Sequence, residues 1–157
     1  MIIRLLCIGK TDEGWLQDGI SKYEKRLKHY ANFSLEIIPD VKQAKNLSNE
    51  QLKVKEGELL LKQLNTADQV ILLDEHGEQM RSIEFARYLD KKMTAGVQRL
   101  VFIIGGPYGF SDAVYQRATG QLSLSKLTFS HQMIRLFFTE QLYRSFSILK
   151  GEPYHHE

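Results

Sequence analysis

The stretch Arg99 to Phe110, R-L-V-F-I-I-G-G-P-Y-G-F, constrains the fold more than any other. Leu100, Val101, Phe102, Ile103 and Ile104 run without polar alternation, the pattern of a strand buried on both faces of a parallel sheet covered by helices. Gly105, Gly106 and Gly109 break that run at the end where α/β proteins bind ligands. Glycines there let a ligand approach main-chain amides without a Cβ in the way. On residue types alone, a tight turn that only reverses the chain is an equal reading.

The rest of the chain repeats the theme. Ile2 to Ile8 is a nearly continuous apolar run closed by Gly9, a first buried strand. Leu16, Ile20, Tyr23, Leu27 and Tyr30 share one face of a helix from about Gly14 to Tyr30, which leaves Lys22, Lys25, Arg26 and Lys28 as a solvated face rather than a phosphate-binding patch. Phe33, Leu35 and Ile37 alternate before Pro39, giving a second strand. Ser48 and Gln51 form a capping box for a helix with Leu52, Leu59, Leu60 and Leu64 inward and its Lys and Glu positions wet. Val70 to Asp74 is a third strand ending in Glu75-His76-Gly77, a second ligand edge. Ser82 caps a helix burying Phe85, Ala86, Leu89 and Met93, stopped near Gly96.

Ser111 and Asp112 open a short helix that Gly120 ends, and Gln121 to Leu124 is a short strand. After the loop Ser125 to Ser130, a last helix runs to about Lys150 with apolar residues on more than one side, including Phe137, Phe138 and Leu149. Such a helix needs a second cover beyond its own sheet, and a second subunit is the economical one. Strands alternate with helices throughout, so the expected architecture is α/β, one domain over residues 1–157, with a mostly parallel sheet flanked by helices. Ordinary connection rules make that sheet unknotted.

Composition narrows the chemistry. An apolar share of 43% and a charged share of 25% are those of an ordinary globular protein, and no run approaches the ~20 residues that span a bilayer. A cytoplasmic location without membrane contact is expected, with Cys7 an inert buried thiol and no metal, since zinc-type Cys/His spacing is missing. A net charge of +2 tolerates a nucleic-acid partner without demanding one. There is no phosphate-binding G-x-x-x-x-G-K-[ST], the glycines lack dinucleotide spacing, and no G-x-S-x-G elbow occurs. What remains is a pocket of backbone and apolar side chains from three strand ends: Leu73, the loop from Gly105, and Leu124 to Phe129. It suits an adenine ring held by main-chain hydrogen bonds.

Leu73-Asp74 with Gly77, Ile103-Ile104-Gly105-Gly106-Pro107 with Gly109, Ser123 to Thr128 with His131, and the ending Pro153-Tyr154-His155 resemble the ribosomal RNA large subunit methyltransferase H family, in the SPOUT class of S-adenosylmethionine-dependent methyltransferases. The resemblance spans the chain, including Tyr23 to Arg26 and Lys55-Glu56-Gly57; Ser130 departs from the family's usual proline. It implies a homodimer with a trefoil knot near the carboxyl end, and methylation of N3 of a pseudouridine in 23S rRNA within the assembled ribosome. Position by position, it implies that Leu73, Gly105, Leu124, Ser125, Lys126, Leu127, Thr128 and Phe129 contact S-adenosylmethionine.

Methyl transfer from a sulfonium to nitrogen is an in-line displacement that asks for positioning and for loss of the N3 proton. Arg135, Tyr154 and His155 are the catalytic candidates. Arg135 stands among Met133, Ile134, Leu136 and Phe137, where a cation needs a carboxylate partner, in this subunit or across a dimer, or an anionic ligand. Tyr154 and His155 lie in a tail after Gly151 that the core does not need, fit to meet RNA or cover the site. His131 reads as a hydrogen-bonder fixing the loop, and Glu140 as the helix partner of Arg144. Two other classes compete: a non-catalytic dimeric ribosome-binding protein using the Lys22 to Lys28 face, and a flavodoxin-like nucleotide-binding module.

Overall fold

The two runs without polar alternation, β1 (Ile2–Ile8) and β4 (Arg99–Ile104), lie side by side near the middle of a five-stranded sheet in a computed structural model that describes residues 1–156. Strand β2 (Asn32–Ile38) flanks β1, and β3 (Gln69–Gln79) flanks β4 with β5 (Gly120–Ser123) outside it. The order β2-β1-β4-β3-β5 is parallel at every pairing. This fits the sequence, because a strand covered on both faces has no polar side to show.

Alternate residues of each strand feed two cores. Leu5, Phe102, Phe138 and Leu142 pack on one face, under α1 (Gly14–Leu27), α3 (Ser82–Thr94) and α5 (Met133–Leu149). Leu6, Leu72, Ile103, Leu60 and Val114 pack on the other, under α2 (Asn49–Leu61) and α4 (Asp112–Arg117). Cys7 is fully buried in β1, and burial pushes its thiol up to about 12. Among the described residues no helix is long and apolar enough to cross a membrane.

Four local expectations change. Helix α1 stops at Leu27, and the Arg26 guanidinium lies 5.7 Å from the Tyr23 ring centroid and 5.4 Å from that of Tyr143, so it is not part of a free basic face. Ser82 does not cap α3; Arg81 holds the cap position, with its N–H donating to Glu84 at 2.7 Å, while the Ser82 hydroxyl donates to Gln141 at 3.1 Å. Helix α2 has the expected capping box at Ser48 and Gln51, but Glu56 on it is 5% exposed rather than wet. Finally, β3 does not end at Asp74. Leu122 pairs with Leu73 and again with Glu78, so residues 74–77 loop out and the strand resumes. Gly77 makes the return possible, since a Cβ there would stand 2.6 Å from the Leu122 main-chain nitrogen.

Candidate active site

Three segments meet at the carboxyl edge of the sheet around a cleft of about 710 Å³. The first is the continuation of β4. Gly109, at φ +83°, donates its N–H to the Gly106 carbonyl at 3.2 Å, closing a turn whose backbone faces the cleft. The loop is therefore both a chain reversal and a cleft wall, which joins the two readings of its glycines. A Cβ on Gly105 would lie 3.1 Å from the Phe110 ring, so a larger side chain there has to displace the ring or fill the cleft.

The second segment is the outward loop of β3. Asp74 keeps its side chain only 9% exposed and accepts from the His76 N–H at 2.8 Å and the Tyr115 hydroxyl, with the His76 ring nitrogen 3.0 Å away. Burial acts to raise its pKa, but the hydrogen bonds from Tyr115 and His76, helped by the His76 charge, outweigh burial, so it lies below its ordinary 3.8. The third segment runs from Leu122 to His131, pinned by the Ser123 hydroxyl on the Ser125 carbonyl at 2.8 Å and the Leu127 N–H on the Ser125 hydroxyl at 3.0 Å. His131 lines the cleft, and burial followed by the Arg135 charge pushes its imidazole below the ordinary 6.5.

Of the residues expected to hold a cofactor, Leu73, Gly105, Leu124, Ser125, Leu127, Thr128 and Phe129 line this cleft; Lys126 is exposed and lies outside the lining. Arg135 is elsewhere. Fully buried, it donates to the carbonyls of Ile8 at 2.6 Å, Gly9 at 2.8 Å and His131 at 3.0 Å, and to the Thr11 hydroxyl at 3.0 Å. The expected carboxylate or anion is replaced by neutral oxygens, because the end of β1 leaves carbonyls with no strand partner and the guanidinium fork matches them.

Tyr154 and His155 do not line the cleft of their own chain either. The Tyr154 hydroxyl meets the Tyr23 hydroxyl at 3.1 Å and donates to Glu140 at 3.0 Å, with Arg144 stacked 4.7 Å from its ring. Burial, then the Tyr23 and Glu140 contacts, raise the phenol's pKa. The His155 Nδ1 lies 3.3 Å from Arg144, and its Nε2 is buried with no hydrogen-bond partner among the described residues. The tail is thus ordered on the α1–α5 surface, and Glu140 pairs with Arg144 at 3.0 Å as expected.

Two features escaped the sequence. Tyr115 carried no motif, and only the fold brings α4 onto the β3 loop. Glu56 stands behind the glycine loop: a Cβ on Gly106 would lie 2.6 Å from its Oε1, and its Oε2 is buried with no hydrogen-bond partner among the described residues. Burial, and the Asp40 carboxylate after it, raise the Glu56 pKa above its ordinary 4.5.

A family model described as "Predicted SPOUT methyltransferase" matches residues 1–155. Curated relatives cover both chains almost end to end, and each bears the name Ribosomal RNA large subunit methyltransferase H. The protein of Christiangramia forsetii is 59% identical over 99% of each chain, and those of Flavobacterium johnsoniae and Parabacteroides distasonis are 59% and 57% identical over 100% of each. A solved structure from Legionella pneumophila in complex with SAM overlaps 96% of this chain and 66% of its own, at 11% identity and a TM-score of 0.47, too distant to inform the site.

Proposed function

Because this chain belongs to the SPOUT methyltransferase family, we propose that it methylates N3 of a pseudouridine in 23S rRNA of the assembled ribosome, with S-adenosylmethionine as the methyl donor. The observation that supports this best is the convergence of three strand-end loops, rich in glycine and main chain, on one cleft. Its volume lies within the ~300–1,000 Å³ usual for small-molecule sites. Leu73, Gly105, Leu124, Ser125, Leu127, Thr128 and Phe129 would hold the cofactor, whose sulfonium supplies an activated methyl group.

This chain's own residues divide the remaining work. The glycine loop and the 122–131 segment fix the angle of approach, which is the larger share of catalysis in a displacement of this kind. The neutral His131 imidazole is the lining group placed to take up the N3 proton. Arg135 acts as a positioning residue that ties the end of β1 to the start of α5. Tyr154 and His155 reach a cleft only if another subunit brings one to them, so their catalytic part rests on a homodimer. Leu127 (74% exposed) and the touching rings of Phe129 and Phe137, 4.9 Å apart, offer apolar surface beside the cleft for that subunit. The same membership carries the expectation of a trefoil knot through the carboxyl-terminal segment.

The test uses ribosomes from a strain lacking the protein, incubated with the protein and S-adenosylmethionine, followed by mass spectrometry of 23S rRNA fragments. One added methyl on a pseudouridine is expected. Ribosome binding without methyl transfer would instead favour a non-catalytic ribosome-binding protein.

A further inference from the structure

The charge of the cleft is the reverse of what an RNA enzyme's substrate surface shows. Asp74, Glu75 and Asp112 line it against one lysine, Lys53, whose ammonium is already paired with Glu50 at 2.7 Å. Such a lining repels phosphate. Among these acids Asp74 stands apart, for its side chain is more than nine-tenths buried and both its oxygens are occupied by the donors named above. A buried carboxylate is costly unless hydrogen-bonded, and here the bonds come from a backbone N–H, a phenol and an exposed imidazole, not from Lys or Arg. These donors fix the side chain and preserve its negative charge, as a site for a cationic ligand requires.

We infer that Asp74 is a specificity-determining residue that selects the positively charged methyl donor over its neutral-sulfur product, with Tyr115 and His76 holding the carboxylate in place. The inference rests on the methyl-donor reading above. Methyl transfer breaks the S–CH3 bond as the N–CH3 bond forms; the electron pair stays on sulfur, the N3 proton passes to His131 and from there to solvent, and sulfonium becomes thioether. The attraction from Asp74 therefore acts on the donor and vanishes once the methyl has moved, which favours product exchange.

Isothermal titration of the full chain at about pH 8, where imidazoles are neutral, tests this with three ligands. These are S-adenosylmethionine, S-adenosylhomocysteine, and sinefungin, in which a protonated amine replaces the sulfonium. Asp74→Asn keeps an acceptor for the His76 N–H and is expected to weaken S-adenosylmethionine and sinefungin about tenfold, leaving S-adenosylhomocysteine unchanged. Tyr115→Phe removes a neutral donor but not the charge, so the preference for the cationic ligands is retained. In the unaltered protein, added KCl weakens S-adenosylmethionine more steeply than S-adenosylhomocysteine. An equal loss for all three ligands in Asp74→Asn, a loss of preference in Tyr115→Phe, or identical salt slopes would overturn the inference and leave the methyl-donor reading intact. Failure of the unaltered protein to bind any of the three overturns that reading, and this one with it.

Discussion

Asp74 lines the cleft and Glu56 stands behind its glycine loop, and the two carboxylates are kept in opposite ways. Asp74 is met by three hydrogen bonds and held below its ordinary pKa; Glu56 has an oxygen with no partner, a second carboxylate near it, and a raised pKa. Depth alone does not decide the outcome, since both are close to fully covered. Donors do. The loop of residues 74–77 exposes an N–H and draws in Tyr115, whereas the mid-helix position of Glu56 has no free backbone N–H nearby and its carboxyl rests on the Cα of Gly106.

The sharpest way to break this comparison is to supply the opposite case, a buried charge with every guanidinium nitrogen hydrogen-bonded. Arg135→Met leaves the Ile8 and Gly9 carbonyls unpaired, and a loss of about 3 kcal/mol is expected in urea denaturation. A loss under about 1 kcal/mol would mean that water replaces the guanidinium. Next in size, Gly106→Ala drives a Cβ onto the Glu56 carboxylate, and the rise in melting temperature given by S-adenosylmethionine should disappear. Glu56→Ala in the same chain should restore part of it, because it removes the obstacle; no restoration would place the fault in the loop itself.

Smaller effects separate the two carboxylates by pH. An acid whose pKa is raised by folding favours the folded state when protonated, so stability falls as pH climbs from about 4.5 towards its folded value; Glu56→Gln should lack that slope. Asp74 is lowered, so its contribution is present above 3.8 and lost as pH drops through its folded value; Asp74→Asn should flatten the acid limb only. Denaturation midpoints measured from pH 3 to pH 8 would show slopes of opposite sign, and a shared sign would contradict the contrast.

Sequence reading reached the strands because a run such as Leu100 to Ile104 has one physical solution, burial on both faces. It reached the backbone-lined part of the cleft for a related reason: glycines after a central strand mark where a ligand meets main chain. Side-chain partnerships were hidden. The Glu56 position reads as one more charged residue on a helix, and only the packing of α2 against the glycine loop covers it. Arg135 was legible as a buried cation, but not its partners, because carbonyl oxygens leave no mark in a sequence. The re-entry of β3 after Gly77 was missed likewise, since the looped-out residues look like the end of a strand.

Cys7 sits between Ile37 of β2 and Ile104 of β4, one residue before the carboxyl end of β1. Fully covered and with its thiol pushed up to about 12, it offers almost no thiolate to an alkylating reagent while the sheet is intact. As the chain's sole sulfhydryl, it turns the rate of chemical labelling into a native clock for the parting of the innermost strands. A ligand seated at the neighbouring cleft would slow that clock without touching sulfur.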